Sequence, residues 1–253
     1  MLNANQEITR LAKDIPPPNN FKRTGSNKMY DWYRNLPLKP KGSKVFLYNS
    51  EEKKRQDVHE AVVNIDIGKR DLQQCADAVI RLRAEYLYSL GKYEKIHFNF
   101  TNGQNISYSK WREGYRVQLK DNKAHWVASN RDQSDYSSFR KYLDLVFAYA
   151  GTYSLSKELL PININKISIG DVFIQGGFPG HAVLVMDVAE NKEGEKCILL
   201  AQSYMPAQSI HIVKNLNDPE LSPWYTVKSL IEIQKLYTPE WTFSLNSLMR
   251  FKP

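Results

Sequence analysis

The sequence is short of the features that most directly assign a class. It carries only two cysteines, Cys75 and Cys197, in 253 residues. That is too few for a disulfide scaffold, and neither sits in a metal-ligand spacing, so at most one bridge is available. No run of about 18 apolar residues occurs, so no membrane-spanning helix is expected. The opening stretch MLNANQEITRLAK lacks the apolar centre of a secretory signal, so no signal peptide is expected in this chain. Zinc-finger spacing, RNP-type motifs and Gly-rich phosphate loops are all missing. Nucleic acid is therefore not an expected partner, and no metal or organic cofactor is implied. Acidic residues are outnumbered, 27 against 35 Lys and Arg, for a formal net charge of +8. Such a balance favours polyanions, including acidic envelope polymers or a lipid surface. The charge is dispersed, however, and EEKKRQD at 51–57 mixes signs and reads as solvated surface.

What is present describes an ordinary globular chain, 42% apolar, long enough for one large core and read as a single domain, 1–253. Residues 1–43, rich in Pro, Asn and Gly, should wrap the surface irregularly around one short helix near Tyr30 to Asn35. KVFLYN and AVVNIDI read as strands. The clearest helix follows, 71–90, with Leu72, Cys75, Ala76, Val79, Leu82, Tyr86 and Leu90 at helical spacing and Gly91 as a stop. Asp71 fits its N-cap, with Gln74 completing a capping-box pattern. Cys75 then falls one turn inside the helix, on the packing face.

KIHFNFT is a further strand, and 102–133 is a polar, aromatic-rich insertion carrying Trp111, Tyr115 and Trp126. A second helix is expected from Asp135 to about Ala150, and YSLSKEL continues as a shorter one. The last third reads as mostly strands: DVFI, HAVLVMDVA, KCILLAQ and SIHIVK, then a short helix and a closing strand. Helices ahead of a strand-rich half favour an α+β class, with the helix packed on an antiparallel sheet.

HAVLVMDVA and KCILLAQ flank the polar stretch ENKEGE and should form a hairpin. With Val188 opposite about Lys196, His181 falls opposite about Gln202 to Tyr204, and Cys197 faces about Asp187. Cys197 is then roughly 20 Å from His181 at the rise of a strand. If Cys75 lies beside His181 it cannot also bridge to Cys197. Cysteine catalysis needs a thiol activated by an imidazole, helped by a helix N-terminus, with a third group orienting the ring. Cys75, His181 and Gln202 supply those residue types in that order.

QQCADAVIRLRAEYL, followed by GDVFIQGGFPGHAVLVMDV and ILLAQSYMP, resembles the papain-like cell-wall amidases of the cysteine, histidine-dependent amidohydrolase/peptidase (CHAP) type. Along nearly its whole length the chain also resembles a bacterial family catalogued as domain of unknown function 4846, through NLPLKPKG, IHFNFTNG, SKWREGYR, AGTYSLSKEL and LLAQSYMPAQ. That family names no reaction, and its members usually look exported, often as lipoproteins, which implies a periplasmic or lipoprotein-like location. The CHAP resemblance implies a papain-like core, with Cys75 as nucleophile, His181 as general base and later acid, Gln202 orienting the imidazole and Gln74 donating to the oxyanion. It implies a thiol-dependent amidase or peptidase acting on an envelope glycopeptide. This sequence departs from the type in the ADAV that follows the cysteine, in having Gln as third member, and in a cysteine a turn past the expected cap.

Other readings of the same residues stand beside this one. Cys75 on an apolar stripe reads equally as a core cysteine, and His181 as a neutral core imidazole. Arg81, Arg83 and Glu85 read as surface or paired charges, or as a grip for a carboxylate near a cleft. His97 and Asn99 share a strand face and line the cleft or meet solvent. His59, His125 and His211 show no local partner. Trp111, Tyr115 and Trp126 among Asn, Lys, Arg and Gln are the ingredients of a glycan-stacking platform, or simply cover the core. The alternative function is thus a non-catalytic glycan- or envelope-binding module on the same scaffold.

Overall fold

The structure, a computed structural model, describes residues 9–129 and 135–252. The first eight residues of the N-terminal wrap and the last residues of the insertion, 130–133, lie outside that range. The chain forms a mixed α+β fold in which helices pack against antiparallel sheets. The main sheet has nine strands. Its path runs His59–Val62, His211–Val213, Lys196–Gln202, His181–Glu190, Val172–Gln175, Leu248–Arg250, Leu160–Pro161, and every pairing is antiparallel.

The two central strands outlast their neighbours, so each takes two partners on its far side. His181–Glu190 pairs with Val172–Gln175 over its first residues and with Lys22–Arg23 at its end. Lys196–Gln202 pairs with His211–Val213 at one end and with Trp224–Thr226 at the other. The N-terminal segment is therefore not only an irregular wrap. It lends the sheet a strand, because the far end of the central strand would otherwise leave backbone groups unpaired.

The central hairpin forms with a shifted register. Val188 faces Ile198 and Cys197 faces Ala189, and a bulge at Met186 moves the ladder so that Leu184 faces Ala201. The expected separation of Cys197 from His181 stands, and both cysteines are free and buried. KVFLYN is not a strand: only Phe46 and Leu47 make isolated bridges, to Glu52 and Gln208. The insertion forms a helix, Tyr108–Arg112, and a hairpin, Tyr115–Lys120 with Lys123–Ala128. Asp121 and Asn122 turn that hairpin with φ of 51° and 57°, the geometry of a two-residue type I′ turn.

The central helix is Cys75–Ser89, and its N-cap falls at Gln74, three residues later than the expected Asp71. The expected cap, Asp71, is occupied elsewhere: its Oδ1 accepts the N–H of Ala207 (2.6 Å) and the amide of Gln74 (3.0 Å). Gln74 is the N-cap, and Asp77 accepts the Gln74 backbone N–H at 3.0 Å. Ala, Leu, Arg and Glu carry the body of the helix, as their propensities favour. At its end Gly91 (φ +68°) donates to Tyr88 O and Lys92 donates to Leu87 O, a Schellman closure. The helix lies across His181–Glu190 and buries Val79, Ile80, Leu82 and Leu87, each contributing about 2 kcal/mol of transfer free energy.

Asp187 is the charge on which the N-terminal segment is fastened. It is fully buried, with Arg23 Nε at 2.5 Å on one oxygen and Arg34 Nε at 2.9 Å on the other. Removing the carboxylate leaves two arginines facing an apolar sheet. Asp187→Ala is therefore expected to cost about 3–5 kcal/mol in urea unfolding, whereas Lys44→Ala, at an exposed pair with Glu52, should cost under about 1 kcal/mol.

Candidate functional site

Because the helix begins at Cys75, the cysteine occupies its first turn rather than lying a turn inside. The first-turn backbone N–H groups have no helical acceptor. Those of Cys75 and Ala76 face the sulfur, and so does the N–H of Ala182 from the adjacent strand. Cys75 borders a cleft of about 660 Å³. Across it lie the first residues of the Thr152–Glu158 helix, the 176–180 loop GGFPG and Met205. The loop lies tightly on that helix. A Cβ on Gly176 would collide with Ser156 Oγ, and one on Gly180 with Thr152 Oγ1, so only glycine fits either position. The rim is apolar: Phe178 is 96% exposed, Met205 51% and Tyr153 50%.

His181 immediately precedes Ala182 and is buried in a box of rings, with Tyr204 at 4.7 Å, Trp241 at 5.3 Å and Phe243 at 5.8 Å between centroids. Its Nε2 lies 2.9 Å from Gln202 Oε1. The surrounding bonds fix the proton. Gln202 Nε2 donates to the Glu240 carboxylate at 2.8 Å, which turns Oε1 towards the imidazole, so His181 carries its hydrogen on Nε2 and leaves Nδ1 as a lone pair. Glu240 is itself held by Lys53 at 2.6 Å, and both side chains are nearly buried. Gln202 also reaches His211 Nε2 (3.3 Å), whose Nδ1 donates to Ser209 O.

Burial keeps both reactive groups neutral. It pushes the Cys75 thiol up to about 11, with the Asp77 carboxyl adding to the rise. It pulls His181 down to about 4, against the opposing bond to Gln202. Asp77 is buried too, and desolvation raises its carboxyl well above the ordinary range. A pre-formed thiolate–imidazolium pair is thus disfavoured at rest.

Gln74 lines the cleft with its amide held by Asp71. Trp111 is a correction to the glycan platform: it is 6% exposed, its indole donates to Ser138 Oγ at 2.9 Å, and Arg116 covers its face at 3.8 Å. Tyr115 and Trp126 share the hairpin face, and Lys110 lies over both rings at 5.3 and 5.5 Å. Arg81 is committed to Glu85, Asp66 and Gln73. His97 and Asn99 line a different cavity. His59 packs edge-on against His211 at 6.0 Å.

Glu240, Lys53 and the aromatic box around His181 were not apparent from the sequence. Lys53 lies in the mixed-charge run expected on the surface, and Glu240 stands 38 residues from Gln202. A glutamate set directly beside a tryptophan in TPEWTF is the one available signal.

Together these features define a mixed α+β protein with a cysteine at the head of its central helix and an oriented histidine on the adjoining strand. The chain belongs to the family described as Domain of unknown function (4846), DUF4846, whose profile matches residues 11–250. No curated protein and no solved structure matches it. Among the described residues no group of three His, Cys, Asp or Glu is placed to hold a metal ion, and no helix is long and apolar enough to cross a membrane.

The electrostatics of the cysteine can be read directly. Desolvation and a neighbouring negative charge both disfavour the thiolate, so removing the charge must lower the thiol pKa. In protein labelled with ¹³C at cysteine Cβ, Cys75 is expected to titrate near 11, and Asp77→Asn to move that midpoint down while leaving Cys197 where it was.

Proposed function

We propose that this chain is a thiol-dependent amidase or peptidase with a papain-like core, and that its substrate is a cell-envelope glycopeptide. The observation that carries the reading is the cysteine at the helix head, bordering an open cleft, with its sulfur against the residue that follows an imidazole of fixed tautomer. The resemblance to CHAP-type enzymes and the excess of positive charge supply the substrate class.

The chemistry follows from two neutral groups. Cys75 Sγ attacks the scissile carbonyl carbon as its proton passes to His181 Nδ1, the nitrogen that the Gln202–Glu240 chain leaves bare. The carbonyl electrons move to oxygen, where the first-turn N–H groups of Cys75 and Ala76 and the remaining N–H of Gln74 receive the charge. Collapse of the intermediate breaks the C–N bond, and His181 returns its proton to the leaving amine. Water, deprotonated by His181, then attacks the thioester, releasing a carboxylate product and the Cys75 thiol. The apolar rim of Phe178, Met205 and Tyr153 would seat the substrate's acyl side.

A second reading has its own support: Tyr115 and Trp126 around Lys110 form a partly open aromatic face, suited to glycan binding without turnover. Alkylation of Cys75 separates the two, with Cys197 as internal control. If His181 accepts the proton during attack, the rate at Cys75 is expected to be flat between about pH 5 and 9, because the imidazole is neutral throughout. His181→Ala should slow it about 100-fold and restore a rate that climbs with pH. A Cys75 no more reactive than Cys197, or indifferent to His181, would overturn the enzyme reading and leave the binding one.

A further inference from the structure

A second cavity, of about 290 Å³, is lined by Arg83 in the middle of the central helix and by the C-terminal end of the Thr152–Glu158 helix. Arg83 enters it from the central helix, Lys157 and Glu158 from the Thr152–Glu158 helix, Lys95 and His97 from the strand side, and Lys252 from the C-terminal segment. Four of these six are permanent cations, and Glu158 is the one described carboxylate among them.

Arg83 is the odd arginine of the fold. Arg23, Arg34, Arg81, Arg140 and Arg250, all at least partly buried, each pair with a carboxylate. Arg83 makes no ion pair or hydrogen bond with any described residue and has one face covered by Phe251 at 5.2 Å. Burial without a counter-ion even lowers its pKa. Lys95, Lys157 and Lys252 also lack a carboxylate partner within ion-pair distance among the described residues. Keeping an arginine half-buried and uncompensated is costly unless an anion completes it.

The neutral donors are arranged to match. Asn105 Nδ2 lies 3.1 Å from His97 Nδ1, which must then be the acceptor, so the ring hydrogen sits on Nε2 as a further donor. The same amide donates to Asn99 Oδ1 at 2.9 Å. From this placement we infer that the cavity is a binding site for the oxyanion group of a small molecule, a phosphate, sulfate or phosphate ester, with the Arg83 guanidinium as its planar clamp. The cavity is near the lower end of small-ligand pockets, enough for the oxyanion and a few attached atoms. The site is independent of the cysteine chemistry.

Glu158 makes the site responsive to pH. Desolvation raises its carboxyl to about 7, partly offset by the Asn99 N–H it accepts and by Lys252. Around it lie Arg83 and the three lysines; Tyr142 stays neutral because burial raises its hydroxyl pKa well above the ordinary value, and His97 is held below its ordinary value. Above neutrality Glu158 ionises and repels the anion. Below it the carboxyl is protonated and the repulsion is gone.

Sulfate tests this cleanly because its charge is constant over the range. At fixed ionic strength, sulfate added to the ¹⁵N-labelled intact chain is expected to shift the Arg83 side-chain and His97 and Asn99 signals saturably, with a Kd of about 1 mM or tighter. Arg83→Gln should weaken binding at least about ten-fold, and Lys157→Gln, at an exposed position, by a smaller factor. Wild-type binding should weaken from about pH 6.5 to about pH 8.5, and Glu158→Gln should abolish that dependence. Shifts that rise linearly or spread over the whole basic surface would overturn the site. So would an Arg83→Gln chain that keeps the wild-type spectrum and binds sulfate equally well.

Discussion

The carboxyl of Asp71 accepts the backbone N–H of Ala207, and the position of everything at the cleft depends on that bond. With Asp71 drawn to the sheet side, it cannot cap the helix, and capping passes to Gln74 and Asp77. The helix then begins at the cysteine. Three residues are most of a turn, so the difference decides whether the sulfur lies against helical backbone or against unsatisfied N–H groups at the edge of a cleft. One of the three departures from the CHAP pattern, the cysteine a turn past its cap, disappears with this shift.

Buried charge is handled in two ways here. Asp187 and Glu240 are paired with arginines or lysine at bonding distance and tie distant segments to the sheet. Cys75 and His181 are instead kept neutral by the same low-dielectric surroundings. In the proposed mechanism, neutral partners that exchange a proton only as a bond forms avoid the cost of holding an ion pair away from water. The aromatic box around His181 provides the desolvation, and the amide of Gln202 provides direction without adding charge.

The sheet was largely legible in the sequence. Alternation and turn residues marked the strands of the last third, the helices at 136–149 and 152–158, and the hairpin that places His181 near Gln202. Its register came out shifted because the two strands run further towards the turn, with Glu190 facing Lys196, and the bulge at Met186 leaves no mark on a run buried on both faces. The helix start was misread because Asp71 is a good cap by type and is diverted only by a residue 136 positions away. Lys53 and Glu240 were hidden for the same reason, since a charge among charges gives no sign of its tertiary partner. Trp111 looked like a binding ring because aromatic residues in a polar stretch do not reveal which way they face.

The bond from Glu240 to Gln202 also imposes an order in time. The histidine, the glutamine and the cysteine all lie within the first 202 residues, while the carboxylate that turns the amide comes from residue 240. On a ribosome, synthesis proceeds from the N-terminus and the sheet can begin to assemble as its strands emerge. Until the segment that carries Glu240 has docked, the amide of Gln202 is directed only by the longer contact to His211 Nε2 at 3.3 Å and lacks the charge-assisted bond. A growing chain would hold Cys75, His181 and Gln202 before the carboxylate that fixes the amide most firmly is in place. Docking of the Glu240 segment adds the charge-assisted bond that holds the amide in place.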